Sequence, residues 1–427
     1  MKRILIITQY FEPCTLTPSQ RITYWTKNFH KLGFYPTVIT REWTEHTKSH
    51  FDTKKPLGDK IRHEKFPEYE VYYLPFRPGI LDRGYLKFGE TIFRPIFLLI
   101  KLLDVFLAGF TLRFTSFRDM EIFAISLAGQ NHFQNLLISG EPFYLFRIGS
   151  TLKKKFNLSW IADYRDDWNT NELQMAKKGG FVRKWISNIE ANYERKWVGT
   201  AKAIISVSEP YTKRISDFIG KPGITIQNGF EDELLSIRTD ELFDEFTLVY
   251  SGVLYPSQDI RLILGALEMA NSQNKPFRLI FLGAGFDIKE KYRIEGLVSD
   301  KIRHLVSITD RLPRKKALEI LVKSHAFLGI AYGDMKGIPS SKLYEYMGLQ
   351  KPVLLCVSDH DLMEEMLSDS GLGFFADSSQ EAMVRIDQIK KVYSDGYIKE
   401  FRNNSIPKIM RYTRIKQLQK IHSVLND

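Results

Sequence analysis

The sequence predicts an α/β fold of two domains, each built around a parallel sheet. Three observations carry that expectation. Short apolar runs alternate with helical patterns along the chain, as strand–helix–strand units require. At 427 residues the chain exceeds what one hydrophobic core usually serves. Glu231 to Glu245 holds seven acids and one arginine in 15 residues, the composition of a solvated connector. The boundaries follow: residues 1–230, a linker at 231–246, and a second domain at 247–400.

Taken in order, Met1-Lys2-Arg3-Ile4-Leu5-Ile6-Ile7-Thr8 has too short an apolar run for a signal peptide and reads as a first strand, Arg3–Thr8. A helix is expected over Ser19–Leu32, then short apolar strands at Thr37–Thr40, Val71–Pro75 and Asn135–Ser139. Helices at Phe143–Lys155, Phe181–Val198 and Pro210–Ile219 alternate with strands at Trp160–Asp163, Ala203–Val207 and Ile224–Gln227. Beyond the linker, strands are expected at Thr247–Ser251, Arg278–Leu282, Arg303–Val306, Ala326–Ile330, Pro352–Val357 and Gly373–Phe375.

The run from Ile92 to Phe110 is interrupted by Arg94, Lys101 and Asp104, so it holds no uncharged stretch long enough to span a bilayer. As a helix it is apolar around most of its circumference. It suits either the edge of a bilayer, with Arg94, Lys101, Arg113 and Arg118 near headgroups, or a place buried against a sheet.

Charge is unevenly placed. Residues 1–230 hold 34 Lys and Arg against 22 Asp and Glu, residues 231–400 hold 21 against 27, and residues 401–427 hold 6 against 1. A basic first half beside an acidic second half points to an anionic partner met by one domain. No nucleic-acid motif accompanies it, so an anionic membrane surface is the expected partner rather than nucleic acid. Cys14 and Cys356 match no disulfide or metal spacing, which suits a reducing cytoplasm. No Cys/His cluster has metal-site spacing, so no metal or other cofactor is expected.

The most informative stretch is Gly337-Ile338-Pro339-Ser340-Ser341-Lys342-Leu343-Tyr344-Glu345-Tyr346-Met347, followed by Gln350-Lys351-Pro352-Val353-Leu354-Leu355. It reads as a loop, a short helix and a strand. Ser340 or Ser341 can cap the helix, leaving backbone N–H groups aimed at an anion. Lys342 and Glu345 lie three apart and share a face. They form either a cation for phosphate beside a carboxylate for sugar hydroxyls, or an ordinary solvated helix pair.

This segment resembles the donor-site signature of GT-B glycosyltransferases, particularly the retaining family-4 type that builds bacterial surface polysaccharides, where P-x-K-x-(F/Y)-E-Y-(M/L) precedes G-K-P-V. The resemblance extends to Val207-Ser208-Glu209-Pro210-Tyr211, to Ile224-Thr225-Ile226-Gln227-Asn228-Gly229-Phe230, and to Tyr412-Thr413-Arg414-Ile415-Lys416-Gln417-Leu418. It implies two Rossmann-like domains facing across a cleft, with the C-terminal helix, 401–427, returning to the first. The first domain would bind the acceptor and the second the nucleotide-sugar. Glu345 would hold the ribose, with Ser341 and Lys342 near the diphosphate and Pro339, Ser340 and Tyr344 in the same motif. Gly337 stands where the family often has a second glutamate, and Val253 and Gln258 stand where relatives carry an arginine and a lysine. Lys342 and Arg311 are then the expected cations.

Ser251 and Gly252 end a strand where backbone can approach a phosphate, and Gly283 and Gly285 form the family's G-x-G passage behind the nucleotide. In the first domain Trp160-Ile161-Ala162-Asp163-Tyr164-Arg165-Asp166-Asp167-Trp168 resembles a W-x-A-D-x-R-D-x-W passage of polysaccharide glycosyltransferases. Asp163, Arg165 and Asp166 leave a strand toward the crevice, either as acceptor contacts or as an internal Asp–Arg brace. Asp163 and Asp166 join Lys342 and Glu345 as the catalytic candidates. Glu141, and Glu12, Ser19 and Arg21 of the loop 9–21, complete the acceptor side.

The implied reaction is retaining transfer of a sugar from a nucleotide-sugar to a glycan or lipid-linked acceptor, in the cytoplasm against the inner face of the membrane. The departing phosphate itself would accept the acceptor's proton. A sugar-nucleotide epimerase on the same fold, or an idle nucleotide-sugar-binding scaffold of an assembly complex, are the alternatives.

Overall fold

The computed structural model describes residues 1–44, 52–170, 181–239, 241–394 and 396–426, with the side chains of 90–96 and 181–182 outside that description. Two compact units emerge: residues 1–227 with 418–427, and residues 228–417.

The first unit holds the strands β1 (Lys2–Thr8), β2 (Phe34–Arg41), β3 (Arg62–Lys65), β4 (Glu70–Leu74), β5 (Asn135–Ser139), β6 (Trp160–Tyr164), β7 (Ala203–Ser206) and β8 (Gly223–Thr225). They form one sheet in the order β3-β4-β2-β1-β5-β6-β7-β8. Every pairing is parallel except β3 with β4. Its helices are α1 (Thr17–Asn28), α2 (Ile80–Ala108), α3 (Arg118–Gln130), α4 (Leu145–Phe156), α5 (Phe181–Val198) and α6 (Glu209–Ile219). Buried on both faces, the central strands are continuous apolar runs, as parallel sheets demand. Leu5, Ile7, Leu136, Ile138, Trp160 and Ala162 join one core with Leu145, Ile148 and Leu152 of α4 and Trp197 of α5. The register aligns Thr8 with Ser139 and Ser139 with Asp163, so three strand ends finish level.

The second unit holds β9 (Thr247–Ser251), β10 (Arg278–Leu282), β11 (Val306–Ile308), β12 (Ala326–Gly329), β13 (Val353–Cys356) and β14 (Gly373–Ala376). All are parallel, in the order β11-β10-β9-β12-β13-β14. Counted from its own first strand this is 3-2-1-4-5-6, the doubly wound order whose ligand crevice opens where the strand order reverses. That place is the C-terminal end of β9 beside β12. The helices are α7 (Arg261–Ser272), α8 (Ile288–Leu297), α9 (Arg314–Lys323), α10 (Ser341–Gly348), α11 (Leu362–Ser370), α12 (Ser379–Ser394), α13 (Ile398–Ile409) and α14 (Arg414–Gln419). Alternate strand residues feed two cores: Leu248, Tyr250 and Leu354 on one face, Val249, Val353 and Leu355 on the other.

The two chain crossings are paired with each other inside this second unit. Phe230 N–H donates to the Tyr412 carbonyl at 3.0 Å, and Arg414 N–H donates to the Phe230 carbonyl at 2.7 Å. Gly229 makes this possible: its φ is +66°, and a Cβ there would stand 2.8 Å from the Tyr412 carbonyl oxygen. The last helix, α15 (Ile421–Asn426), then seals the N-terminal edge of the first sheet. Lys202 donates to the Val424 carbonyl at 3.0 Å and Asn135 to the Leu425 carbonyl at 2.9 Å.

Several expectations shift. The tail joins the first unit from Leu418 rather than from 401, because α13 and the Tyr412 segment pack on the second. The strand expected at Arg303–Val306 begins at Val306, after a 3-10 turn over Arg303–Leu305. The expected strand and helix pattern omitted β3 and α3. The apolar run at 92–110 lies in α2, which starts at Ile80 and breaks at Gly89; the side chains of Arg94 and its neighbours lie outside the described residues.

Candidate functional site

Helix α10 follows from its sequence. Leu343, Tyr344, Tyr346 and Met347 make a buried face at helical spacing, leaving Ser341, Lys342 and Glu345 on the other. Ser340 occupies the N-cap position with extended backbone, but its hydroxyl does not close the helix end. The expected side-chain cap is absent at Ser340, and Ser341 is the first helical residue, exposed to solvent.

Lys342 turns toward the end of β9. Its ammonium donates to the Val253 carbonyl at 3.3 Å and lies 4.9 Å from the Tyr250 ring and 5.8 Å from the Tyr255 ring. Burial lowers its pKa to about 8. Gly252, at φ +98°, brings the loop so close that a Cβ would sit 3.0 Å from Lys342 Cε. Tyr346, one turn on, accepts the Ser251 N–H on its hydroxyl at 2.8 Å and stacks on Phe327. The β9 loop is therefore held from below by α10. Gln258, which stands where the resembled enzymes carry a second cation, is a buried brace: its amide donates to the Ile330 carbonyl at 2.7 Å and its oxygen meets the Tyr250 hydroxyl at 2.9 Å.

Glu345 pairs with Arg314 of α9 rather than with Lys342, so the simple helix pair does not form. Arg314 was not singled out in the sequence; nothing in Arg314-Lys315-Lys316 distinguishes one cation from its neighbours. Gly283 N–H donates to the Thr309 hydroxyl at 2.9 Å, and Gly285 packs against the Thr309–Asp310 loop. Arg311 is exposed, 5.7 Å from the Phe286 ring. Pro339 precedes the helix, and Gly337 N–H is held by Asp361. Tyr344 departs from expectation: it is buried with its ring 6.2 Å from that of Tyr412, a core position rather than a donor contact.

In the first unit the strand ends at β1, β5 and β6 carry a second constellation. Asp163 is fully buried, accepting from Arg21 at 3.0 Å and from the Ser139 hydroxyl at 3.0 Å. Arg21 also donates to the Ile226 carbonyl and lies 4.1 Å from the Trp25 ring. These two side chains are the internal brace, not acceptor-facing groups. Ser19 is likewise a brace, its hydroxyl donating to the Cys14 carbonyl at 2.6 Å. Glu12 pairs with Lys27 at 2.5 Å and accepts from the Tyr69 hydroxyl at 3.0 Å.

Glu141, Arg165 and Asp166 do come together. Arg165 donates to Glu141 at 2.9 Å. Burial pushes the Glu141 carboxyl pKa up; Arg165 pulls it down and the neighbouring Asp166 pushes it up again. Tyr10, two residues past β1, shares this environment: burial foremost, then Glu141, raises its hydroxyl to about 12. It stacks on Trp43 with ring centroids 5.3 Å apart. Tyr10 was not singled out in the sequence, where nothing sets it apart from the neighbouring aromatic Phe11.

The two constellations offer different chemistry. The second unit presents a cation, a glycine turn and a helix N-terminus, the parts that hold a phosphate. The first presents carboxylates and an aromatic face, the parts that hold sugar hydroxyls. Among the described residues no group of three or more His, Cys, Asp or Glu side chains is placed to hold a metal ion.

Neither a protein-family model nor a curated protein matches the chain. Solved structures do. Sucrose-phosphate synthase from Thermosynechococcus elongatus is similar over 99% of this chain and 98% of its own, at 13% identity and a TM-score of 0.65. The UDP-forming α,α-trehalose-phosphate synthase from Burkholderia xenovorans, in complex with glucose-6-phosphate, is similar over 99% and 100% at 10% identity and a TM-score of 0.62. Anabaena HepE in complex with UDP and glucose is similar over 100% and 99% at 12% identity and a TM-score of 0.59. The likeness shows the fold: two Rossmann-like sheets of the GT-B class.

Proposed function

We propose that this chain is a glycosyltransferase that moves a sugar from a nucleotide-sugar to a glycan or lipid-linked acceptor, with retention, in the synthesis of cell-surface polysaccharide. The observation that carries this reading is Lys342, drawn against the Gly252 turn at the switch point of the second sheet, with Glu345 one turn along the same helix. A diphosphate at that turn meets one ammonium and the N-terminal end of α10, and its charge grows as the sugar leaves, so the stabilisation is greatest in the transition state. Glu345 would exchange Arg314 for the paired hydroxyls of a ribose. Neighbours of the same fold are described with UDP, which makes uracil the first base to try. Acceptor hydroxyls would meet Glu141, Arg165 and Asp166, with Tyr10 as an aromatic neighbour. The chain would work in the cytoplasm, its basic first unit against the anionic inner leaflet.

Purified protein incubated with a panel of nucleotide-sugars, with and without lipid acceptor, tests this by nucleotide release. Release that rises with acceptor supports the transferase. Release without acceptor and with a changed sugar would favour an epimerase, and binding without turnover a scaffold. Glu345→Ala should keep its fold and lose detectable transfer, a charge-assisted contact of about 1.5–3 kcal/mol being removed along with donor orientation. Wild-type turnover and donor affinity in that variant would sink the site.

A further inference from the structure

Helix α2 has apolar side chains on two opposite sides. Its inner side enters the core, with Val105 and Ala108 fully buried beside Leu112. Its outer side carries Leu99, Leu103 and Phe106, spaced three and four apart on one face, and Phe110 in the turn that follows. They are 65%, 55%, 52% and 68% exposed, and the rings of Phe106 and Phe110 lie 5.4 Å apart, so they form one patch. The backbone beneath is tied to neighbouring helices: Tyr193 of α5 donates to the Phe106 carbonyl at 3.0 Å, and Arg147 of α4 donates to the Phe110 carbonyl. A helix with apolar side chains on two opposite sides requires two apolar surroundings, and the unit supplies one.

We propose that this outer face of α2 is a membrane wedge: Leu99, Leu103, Phe106 and Phe110 enter the acyl-chain boundary of an anionic bilayer. Charge selects this occupant. The exposed Arg113 and Arg118 follow the patch directly, in a half-chain with an excess of 12 basic over acidic residues. No described helix is long and apolar enough to cross a membrane, so α2 lies in the interface. This deepens the membrane part of the proposed function, giving it a hydrophobic component that screening cannot remove.

The test is co-sedimentation with vesicles of phosphatidylcholine, with and without phosphatidylglycerol. The protein should bind the anionic vesicles, and high salt should weaken but not abolish binding. Phe106→Ser with Phe110→Ser should lower the partition coefficient at least about tenfold for each ring removed from the bilayer. Leu99→Ser with Leu103→Ser should do the same, and Arg113→Glu with Arg118→Glu should remove the preference for anionic lipid. All these side chains are exposed, so melting temperatures should hold. Wild-type partitioning by both serine variants would overturn the wedge, as would a stable dimer in solution in which hydrogen exchange shows α2 covered. Melting shifts with UDP in the absence of vesicles report separately on the transferase reading.

Discussion

Lys342 is a poor resident for a partly buried site unless an anion joins it. Its pKa of about 8 lies below that of free lysine because burial disfavours the charge. The charged form therefore dominates below pH 8 and is lost as pH rises through it, while a bound diphosphate pulls the pKa back up. Affinity for UDP, followed by calorimetry from pH 7 upward, where the phosphate is fully ionised, should fall as pH rises above 8. In Lys342→Met that pH dependence should vanish along with roughly 1.5–3 kcal/mol of binding. Asp163 makes the opposite case. Fully buried and paired with Arg21, it braces rather than reacts. Asp163→Ala should leave a buried guanidinium unpaired and lower unfolding free energy by about 3–5 kcal/mol, measured by urea denaturation. A variant that keeps its stability but loses turnover would restore Asp163 to the reacting groups.

At the scale of elements, the loop ends are tied by single polar side chains. Lys351 is buried and donates to the Val322 carbonyl at 2.6 Å and to the Ser324 carbonyl, closing the C-terminal end of α9. Burial lowers its pKa to about 7. Since the unfolded chain takes up that proton first, this lysine's contribution grows as pH rises from 7 toward 10.5. Lys351→Met should lower stability by about 1–3 kcal/mol through the orphaned carbonyls, with a larger difference from wild type at pH 9 than at pH 6. Thermal melting at the two values checks it. These ties also mark how far the sequence could be read. Strands buried on both faces, such as Asn135–Ser139 and Thr247–Ser251, are visible as unbroken apolar runs. β3 is not, because Arg62-His63-Glu64-Lys65 is polar throughout and sits at a sheet edge. In α3 only Met120, Ala124 and Leu127 are buried while Ile122 points outward, which blurs the helical period. The Lys342–Glu345 spacing was legible. The partners that split the pair, Val253 at one end and Arg314 at the other, are set by packing between distant segments.

The whole molecule is one unit interrupted by another. Residues 228–417 form a single continuous stretch set into a unit whose own chain resumes at Leu418. All the donor candidates, from Ser251 to Glu345, lie inside it. Expressed alone, 228–417 should fold cooperatively and show a UDP-dependent rise in melting temperature, near 2.7 kcal/mol of stabilisation at a hundredfold excess over the dissociation constant. A fragment that stays unfolded, or folds without responding to UDP, would count against an autonomous donor unit.

The pairing of Phe230 with the Tyr412–Arg414 segment has an evolutionary consequence. The inserted stretch enters and leaves within one hydrogen-bonded step, so its two seams coincide in space although 182 residues separate them in sequence, from 230 to 412. A gene need only be cut at two short, structurally matched joints for a foreign cassette to drop in, provided it brings a glycine at the first seam and its partner carbonyl at the second. If the second unit holds the donor, as we propose, recombination there would exchange the donor site and leave the first unit untouched. On the proposed function, a lineage of such chains would diversify its products by exchange, without having to evolve each new specificity residue by residue.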